Sequence, residues 1–129
     1  MKDWLTATLL SVLAVFAPIK ALLLTTGIII FADLILGIWA AHKRGESITS
    51  AGIRRTVTKL GVYNAAILLG FLIETYMLEG FIPISKIAGG LIGVVECKSI
   101  MENLNDLHGS DLFKTLIKKL GSINDEKEP

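Results

Sequence analysis

Apolar residues in this chain are gathered into long blocks, and short polar or glycine- and proline-containing breaks separate them. The first block runs from Trp4 to Ala17 and stops at Pro18. As a helix it rises only about 21 Å, short of the roughly 30 Å hydrocarbon core of a bilayer. Thr6, Thr8 and Ser11 interrupt it, and Trp4 suits a headgroup-level position, so an interfacial or re-entrant helix is predicted over residues 1–20. Pro18 disfavours helix at Ala17, and the long stem of Lys20 can carry its charge to the headgroups.

Ala21 to Ala41 is the clearest span. It rises about 31 Å as a helix, holds Asp33 as its one charge, carries Trp39 near its end and is followed by His42-Lys43-Arg44. Leu60 to Leu78 is a second span, free of charge until Glu74 and bracketed by Tyr63 and Tyr76. The turn Glu79-Gly80-Phe81-Ile82-Pro83 leads to a weaker third, Ile84 to about Met101, with Lys86, Glu96 and Lys98 inside it. Such a helix inserts poorly alone and makes sense packed against others or lining water. Gly109 is a plausible helix stop. Beyond it Ser110 or Asp111 caps a short amphipathic helix, in which Leu112, Phe113, Leu116, Ile117 and Leu120 share one stripe and Lys114, Lys118 and Lys119 lie off it. Gly121 is expected to end that helix, and Asn124 to Pro129 to be a disordered charged tail. The predicted fold is all-α: a small integral membrane protein with three transmembrane helices, an N-terminal interfacial or re-entrant helix over 1–20, a core over 21–103 and a cytoplasmic amphipathic helix and tail over 104–129.

Composition agrees with this pattern. Of 129 residues 52% are hydrophobic and 19% charged, and mean hydropathy is +0.61, leaving too few polar groups to coat a soluble globule. The charges are also clustered: Lys43, Arg44, Arg54, Arg55 and Lys59 stand against Glu46 alone in the loop 42–59, which Gly45 and Gly52 break and where Ser47, Thr49 or Ser50 could cap a short helix leading into the next span. By the positive-inside rule this loop and the C-terminus face the cytoplasm and the turn 79–83 lies outside. The N-terminus is then external if residues 4–17 lie in the interface and internal if they cross. Those five bases and Lys114, Lys118 and Lys119 are the candidate contacts to anionic lipid. A net charge of +1 argues against non-specific nucleic-acid binding. The lone Cys97 excludes an intramolecular disulfide and a cysteine-based zinc site, and reads as a small apolar residue. No small-x-small site follows the first block, so a cleaved leader is not expected.

The informative residues are the polar ones inside apolar blocks. Asp33 lies near the middle of its span, where a charged Asp costs about 2.5–3.5 kcal/mol. Gly27, Ile30, Asp33, Gly37 and Ala40 share a narrow face on which small residues allow close helix approach. Two readings are open: a packing or pore-lining face, or an Asp paired for structure to one internal base such as Lys20 or Lys98. Gly89 and Gly93 form a G-x-x-x-G, and Gly61 and Ala65 a similar small pair, each suited to helix contact within or between subunits. Glu96, Ser99, Asn103 and Asp106 line one face of the next helix, while Lys98 and Glu102 form an i, i+4 pair on another. The polar stripe suits a water-lined path or a network between protomers; from Asn103 onward it is equally what a helix shows once it has left the bilayer. His42 and His108 have no acid at motif spacing, and no nucleotide, nucleophile-elbow or metalloprotease motif occurs, so no catalytic residue, metal or cofactor is predicted and the chain is not read as an enzyme.

Three pieces in order resemble the phage lysis and toxin-secretion holins of phages of Gram-positive hosts. Asp33-Leu-Ile-Leu-Gly37-Ile-Trp-Ala-Ala41 is similar to that family's Asp-x-x-x-Gly-x-x-x-Ala; Ser50 and Gly52, one residue closer together than in its Ser-x-x-Gly, followed by Lys59 resemble that motif and its helical Lys; and Glu96-Cys-Lys-Ser99-Ile100-Met-Glu102-Asn103 is close to its Glu-x-x-Ser-Ile-x-Glu-Asn. The pieces, with Gly109 and the amphipathic helix, span residues 21–120. Ser110-Asp111 stands where the family often has Pro, and Glu74 matches an expected acid only loosely. The resemblance implies a helical protein of the host cytoplasmic membrane that oligomerises and opens lesions, releasing a phage endolysin it need not touch or collapsing the proton-motive force. Its partners would be lipid and copies of itself, with Asp33, Gly37, Gly89, Gly93, Glu96, Ser99, Glu102 and Asn103 as candidates for the oligomer or pore face. The alternatives are a non-lytic holin antagonist or toxin-export pore, and a small ion or solute channel subunit.

Overall fold

The computed structural model describes residues 2–109 and 111–125. They form helix α1 (Lys2–Val15), a 3-10 turn (Ala17–Ile19), α2 (Lys20–Lys43), α3 (Ser50–Tyr76), α4 (Ile84–His108) and α5 (Leu112–Asp125). No strand occurs among the described residues. The breaks fall where local chemistry demands them. Pro18 sits in the 3-10 turn between α1 and α2, Glu79 and Gly80 take left-handed φ values of 50° and 79° before Pro83, and Gly109 closes α4 at φ 73° with its N–H on the Asn105 carbonyl.

Several boundaries differ from the sequence reading. The basic segment 42–59 is mostly helical: α2 runs through Lys43, and the helix expected from one of the Ser47, Thr49 or Ser50 caps begins at Ser50 but passes Gly52 and is continuous with the next span. Thr49 occupies the position before α3 without a side-chain capping bond. α5 passes through Gly121, because one glycine costs a helix only about 1 kcal/mol, and it includes Asn124 and Asp125 of the expected tail. Asp111 accepts a hydrogen bond from the Lys114 N–H at 3.2 Å and so caps α5. Ser110 and residues 126–129 lie outside the described residues, as do the side chains of Leu112 and Phe113.

Helices α2, α3 and α4 pack together, and α2 and α4 share the most extensive contact. The buried interior is small: Ile19, Ile67 and Phe71 form a cluster supported by Phe16, Leu22 and Ile92, with Ile30 and Ala40 buried further along α2. Two glycines set the approach of the helices. A Cβ on Gly70 would meet Ile84 Cγ2 at 3.1 Å and the Ser85 backbone N at 3.3 Å, and one on Gly89 would meet Leu22 Cδ1 at 2.7 Å. No residue of α1 is buried. Its hydroxyls are nevertheless satisfied, since Thr6, Thr8 and Ser11 each donate to the carbonyl four residues earlier.

Two helical stretches, Ala17–Lys43 and Ser50–Tyr76, are long and apolar enough to cross a membrane, and only 11% and 17% of their apolar windows are buried within the chain. A soluble core helix would be mostly enclosed; here Leu24, Ile28, Phe31, Ile35 and Trp39 form an open stripe along α2. The third expected span does not meet the same standard, because Lys86, Glu96 and Lys98 interrupt α4.

Candidate functional site

Three ionisable side chains from three helices meet inside the bundle. Lys59 Nζ on α3 donates to Asp33 Oδ2 on α2 at 3.2 Å and to Glu96 Oε2 on α4 at 2.9 Å. Asn103, two turns after Glu96, donates from Nδ2 to Asp33 Oδ1 at 3.1 Å. Side-chain exposure is 24% for Lys59, 13% for Asp33 and zero for Glu96. The face of α2 that carries Asp33 also carries Ile30, Gly37 and Ala40, and Asn103 lies against Gly37, where a Cβ would be in ordinary contact with its Nδ2 at 3.5 Å. One ammonium thus serves two carboxylates, and Glu96 Oε1 is buried with no partner that meets hydrogen-bond geometry among the described residues, although the Tyr63 hydroxyl lies beside the Glu96 carboxylate. Desolvating an ion costs several kcal/mol, and attraction repays it only when the pairing is complete. Here it is not.

This geometry corrects two expectations. Asp33 pairs with Lys59, not with Lys20 or Lys98; Lys20 is exposed at the start of α2, and Lys98 reaches Glu102 at 3.8 Å on the open side of α4. Lys59, grouped with the lipid-facing bases because it follows Arg54 and Arg55, turns inward. The helical start at Ser50 is the reason, since it places Lys59 well down α3, opposite Asp33 and Glu96.

A polar cleft of about 420 Å³ leads to the cluster from the α2–α3 connection. Arg44, Arg55 and Thr49 stand along it, and Asp33, Lys59, Ser99 and Asn103 also line it. Ser99 is half-buried and shares the cleft with Asn103. Water entering from that end would reach Asp33 and Lys59, whereas Glu96 has no exposed surface.

Polar clasps hold the two ends of the bundle. At the cleft end, Lys43 Nζ donates to the carbonyls of Asp106 and Leu107, and Arg44 bonds the Asp106 carboxylate, so cations meet the carbonyl end of α4. Arg44 also grips Glu46, with Nε to Oε1 at 2.8 Å. That hydrogen bond raises the Arg44 guanidinium above its usual range and lowers the Glu46 carboxyl below its own. At the other end Glu74 accepts from the Ser85 N–H at 2.7 Å and the Ser85 hydroxyl at 2.9 Å, which fastens α3 to the first turn of α4. Along the sequence Glu74 reads only as the first charge of its span, and the partner across the turn is not visible there. Its signal was a lone carboxylate one turn before a Gly–Pro turn, facing a helix start with Ser as its second residue.

The remaining candidates are dispersed. Gly89 faces α2 within the chain, while Gly93 has open space where a Cβ would be, so the G-x-x-x-G pair divides between two surroundings. Glu102, Arg54, Lys118 and Lys119 are exposed. Lys114 pairs with Asp111 at 3.2 Å. On α5, Leu116, Ile117 and Leu120 are exposed beside these lysines.

Comparison with curated proteins and with solved structures gave no match. A family model does match, over residues 11–125, which takes in α2, α3, α4, the buried ion cluster and both clasps. This is a family of membrane proteins rather than of enzymes, in keeping with the open apolar faces of α2 and α3. The chain belongs to the bacteriophage holin family.

Proposed function

We propose that this chain accumulates in the cytoplasmic membrane of a bacterial host, associates with copies of itself and opens lesions that release a cell-wall hydrolase or collapse the proton-motive force. The observation that carries the reading is the buried Lys59–Asp33–Glu96 cluster, in which two carboxylates from different helices share one ammonium inside the bundle. An isolated protomer holds this imbalance at a cost, and rearrangement of several copies around water would relieve it.

In this reading α2, α3 and α4 each cross the bilayer, with the charges of α4 shielded by its neighbours. The α2–α3 connection, the cleft and α5 lie on the cytoplasmic side, and the Glu74–Ser85 clasp and the N-terminus lie outside. Arg54, Arg55, Lys114, Lys118 and Lys119 contact anionic headgroups. The endolysin is a functional partner that passes through the lesion without docking.

The test is induced expression with and without a co-expressed endolysin, following membrane potential and turbidity. Growth that halts with an abrupt, delayed loss of potential, and lysis only when the hydrolase is present, is the expected outcome. Membrane insertion with sustained potential and growth refutes lesion formation and leaves an accessory, non-lytic role. Asp33→Asn and Glu96→Gln are each expected to shift the time of onset without preventing insertion.

A further inference from the structure

The face of α4 turned away from the bundle has its own pattern. Ile87, Leu91, Val94, Lys98 and Met101 follow at intervals of four, three, four and three, opposite the face that carries Gly89, Glu96 and Asn103. This is the 3.5-residue seam along which two helices supercoil. Ile87, Leu91 and Val94 are 52%, 65% and 70% exposed, and Lys98 and Glu102 are 78% and 67% exposed.

Depth decides what covers this seam. Lys43 ends the apolar stretch of α2 and binds the carbonyls of Asp106 and Leu107; in the membrane placement proposed above those residues lie at the headgroup level. Glu102 then lies about 6 Å and Lys98 about 12 Å deeper along the helix. Twelve ångströms is more than the four-carbon stem of a lysine spans, so snorkelling does not bring the ammonium out. The intrahelical contact to Glu102 at 3.8 Å is long, and it serves one of three ammonium donors. Hydrocarbon therefore suits the Ile87–Val94 half of the seam and not the Lys98–Glu102 half.

We propose that this seam is the contact between two copies of the chain, α4 against α4, parallel and related by a two-fold axis. This rests on the membrane and self-association reading above and names the surface that reading leaves open. Both copies enter the membrane in the same sense, so their lysines stand at one height and their glutamates one turn away. Lys98 of each copy then lies beside Glu102 of the other, and each ammonium sits between two carboxylates. The patch is complementary to itself, as a two-fold contact requires. The Ile87, Leu91 and Val94 side chains pack the outer half of the seam.

The experiment uses the full chain in membranes. With Cys97→Ser to remove the native thiol, Val94→Cys is expected to give a disulfide-linked dimer on mild oxidation, while Ile28→Cys on the open face of α2 stays monomeric. Lys98→Glu and Glu102→Lys are each expected to lower dimer yield by about tenfold, from two cross-chain pairs near 0.6 kcal/mol each. Co-expression of these two variants should restore it in mixed dimers. A pair that acts only within one helix would not be rescued, and that result overturns the proposal. So does labelling of Val94→Cys by a membrane-impermeant maleimide, which would mean that the seam lines water. If Val94→Cys stays monomeric while the parent still associates and depolarises cells, the contact is wrong and the lesion reading stands. If the parent neither associates nor depolarises, both fall.

Discussion

Replacing Lys59 by Met keeps an unbranched side chain, one atom shorter, and removes the ammonium that holds Asp33 and Glu96. The consequences for the two acids differ. Asp33 retains Asn103 as a donor and some contact with the cleft. Glu96 has no exposed surface, and Lys59 is the one donor to it that meets hydrogen-bond geometry among the described residues, so its carboxylate is left buried without a counter-charge. Removing one partner of a buried ion pair costs about 3–5 kcal/mol, and the lower end is expected here because Lys59 itself is 24% exposed. Three kcal/mol is a shift of roughly 150-fold in the unfolding equilibrium. Glu96→Gln alone should cost about 1–2 kcal/mol, since the Lys59–Asp33 bond survives. The double variant Lys59→Met/Glu96→Gln should be more stable than Lys59→Met, a non-additivity of about 2 kcal/mol. Titration with a denaturing detergent from mild micelles, followed by far-UV circular dichroism, measures all three. If Lys59→Met unfolds within about 0.5 kcal/mol of the parent, or if the two substitutions simply add, the cluster does not act as a unit and the argument from charge imbalance fails.

At the other end of the bundle, Glu74→Ala removes both bonds to Ser85 and should cost about 1–2 kcal/mol, seen as faster amide exchange in the first turn of α4; Glu79→Ala, in the turn itself, should leave that exchange unchanged. Gly70→Ala forces a Cβ to within 3.3 Å of the Ser85 backbone N and should destabilise by about 1–3 kcal/mol. Gly61→Ala, with open space around it, should stabilise by up to about 1 kcal/mol, and the reverse order of the two in thermal melts would contradict the α3–α4 packing. Because the hydrogen bond from Arg44 lowers the Glu46 carboxyl, the link across the α2–α3 connection is complete above the ordinary glutamate range and lost as pH falls through the lowered value. Arg44→Gln should return Glu46 to its ordinary range in a carboxyl NMR titration and loosen the end of α4 at neutral pH.

Much of this protein follows from local chemistry and can be read along the chain. Helices are the answer to long apolar blocks, and Pro18, Gly80 with Pro83, and Gly109 end or bend them because backbone sterics act within a few residues. Periodicity also placed Glu96 with Asn103 on one face of α4 and Lys98 with Glu102 on another. What periodicity does not contain is which face turns inward. That choice depends on side chains far away in sequence: Lys59 stands 26 residues from Asp33 and 37 from Glu96, and it meets them because α3 runs unbroken from Ser50 past Lys59. The same holds for Glu74, whose partner is a backbone N–H across a turn, and for Gly89, which differs from Gly93 only because Leu22 happens to lie against it. Composition and period thus determined that the chain is helical and built for lipid, while packing of α2, α3 and α4 decided which of its costly charges meet inside and which remain on the outer face of α4.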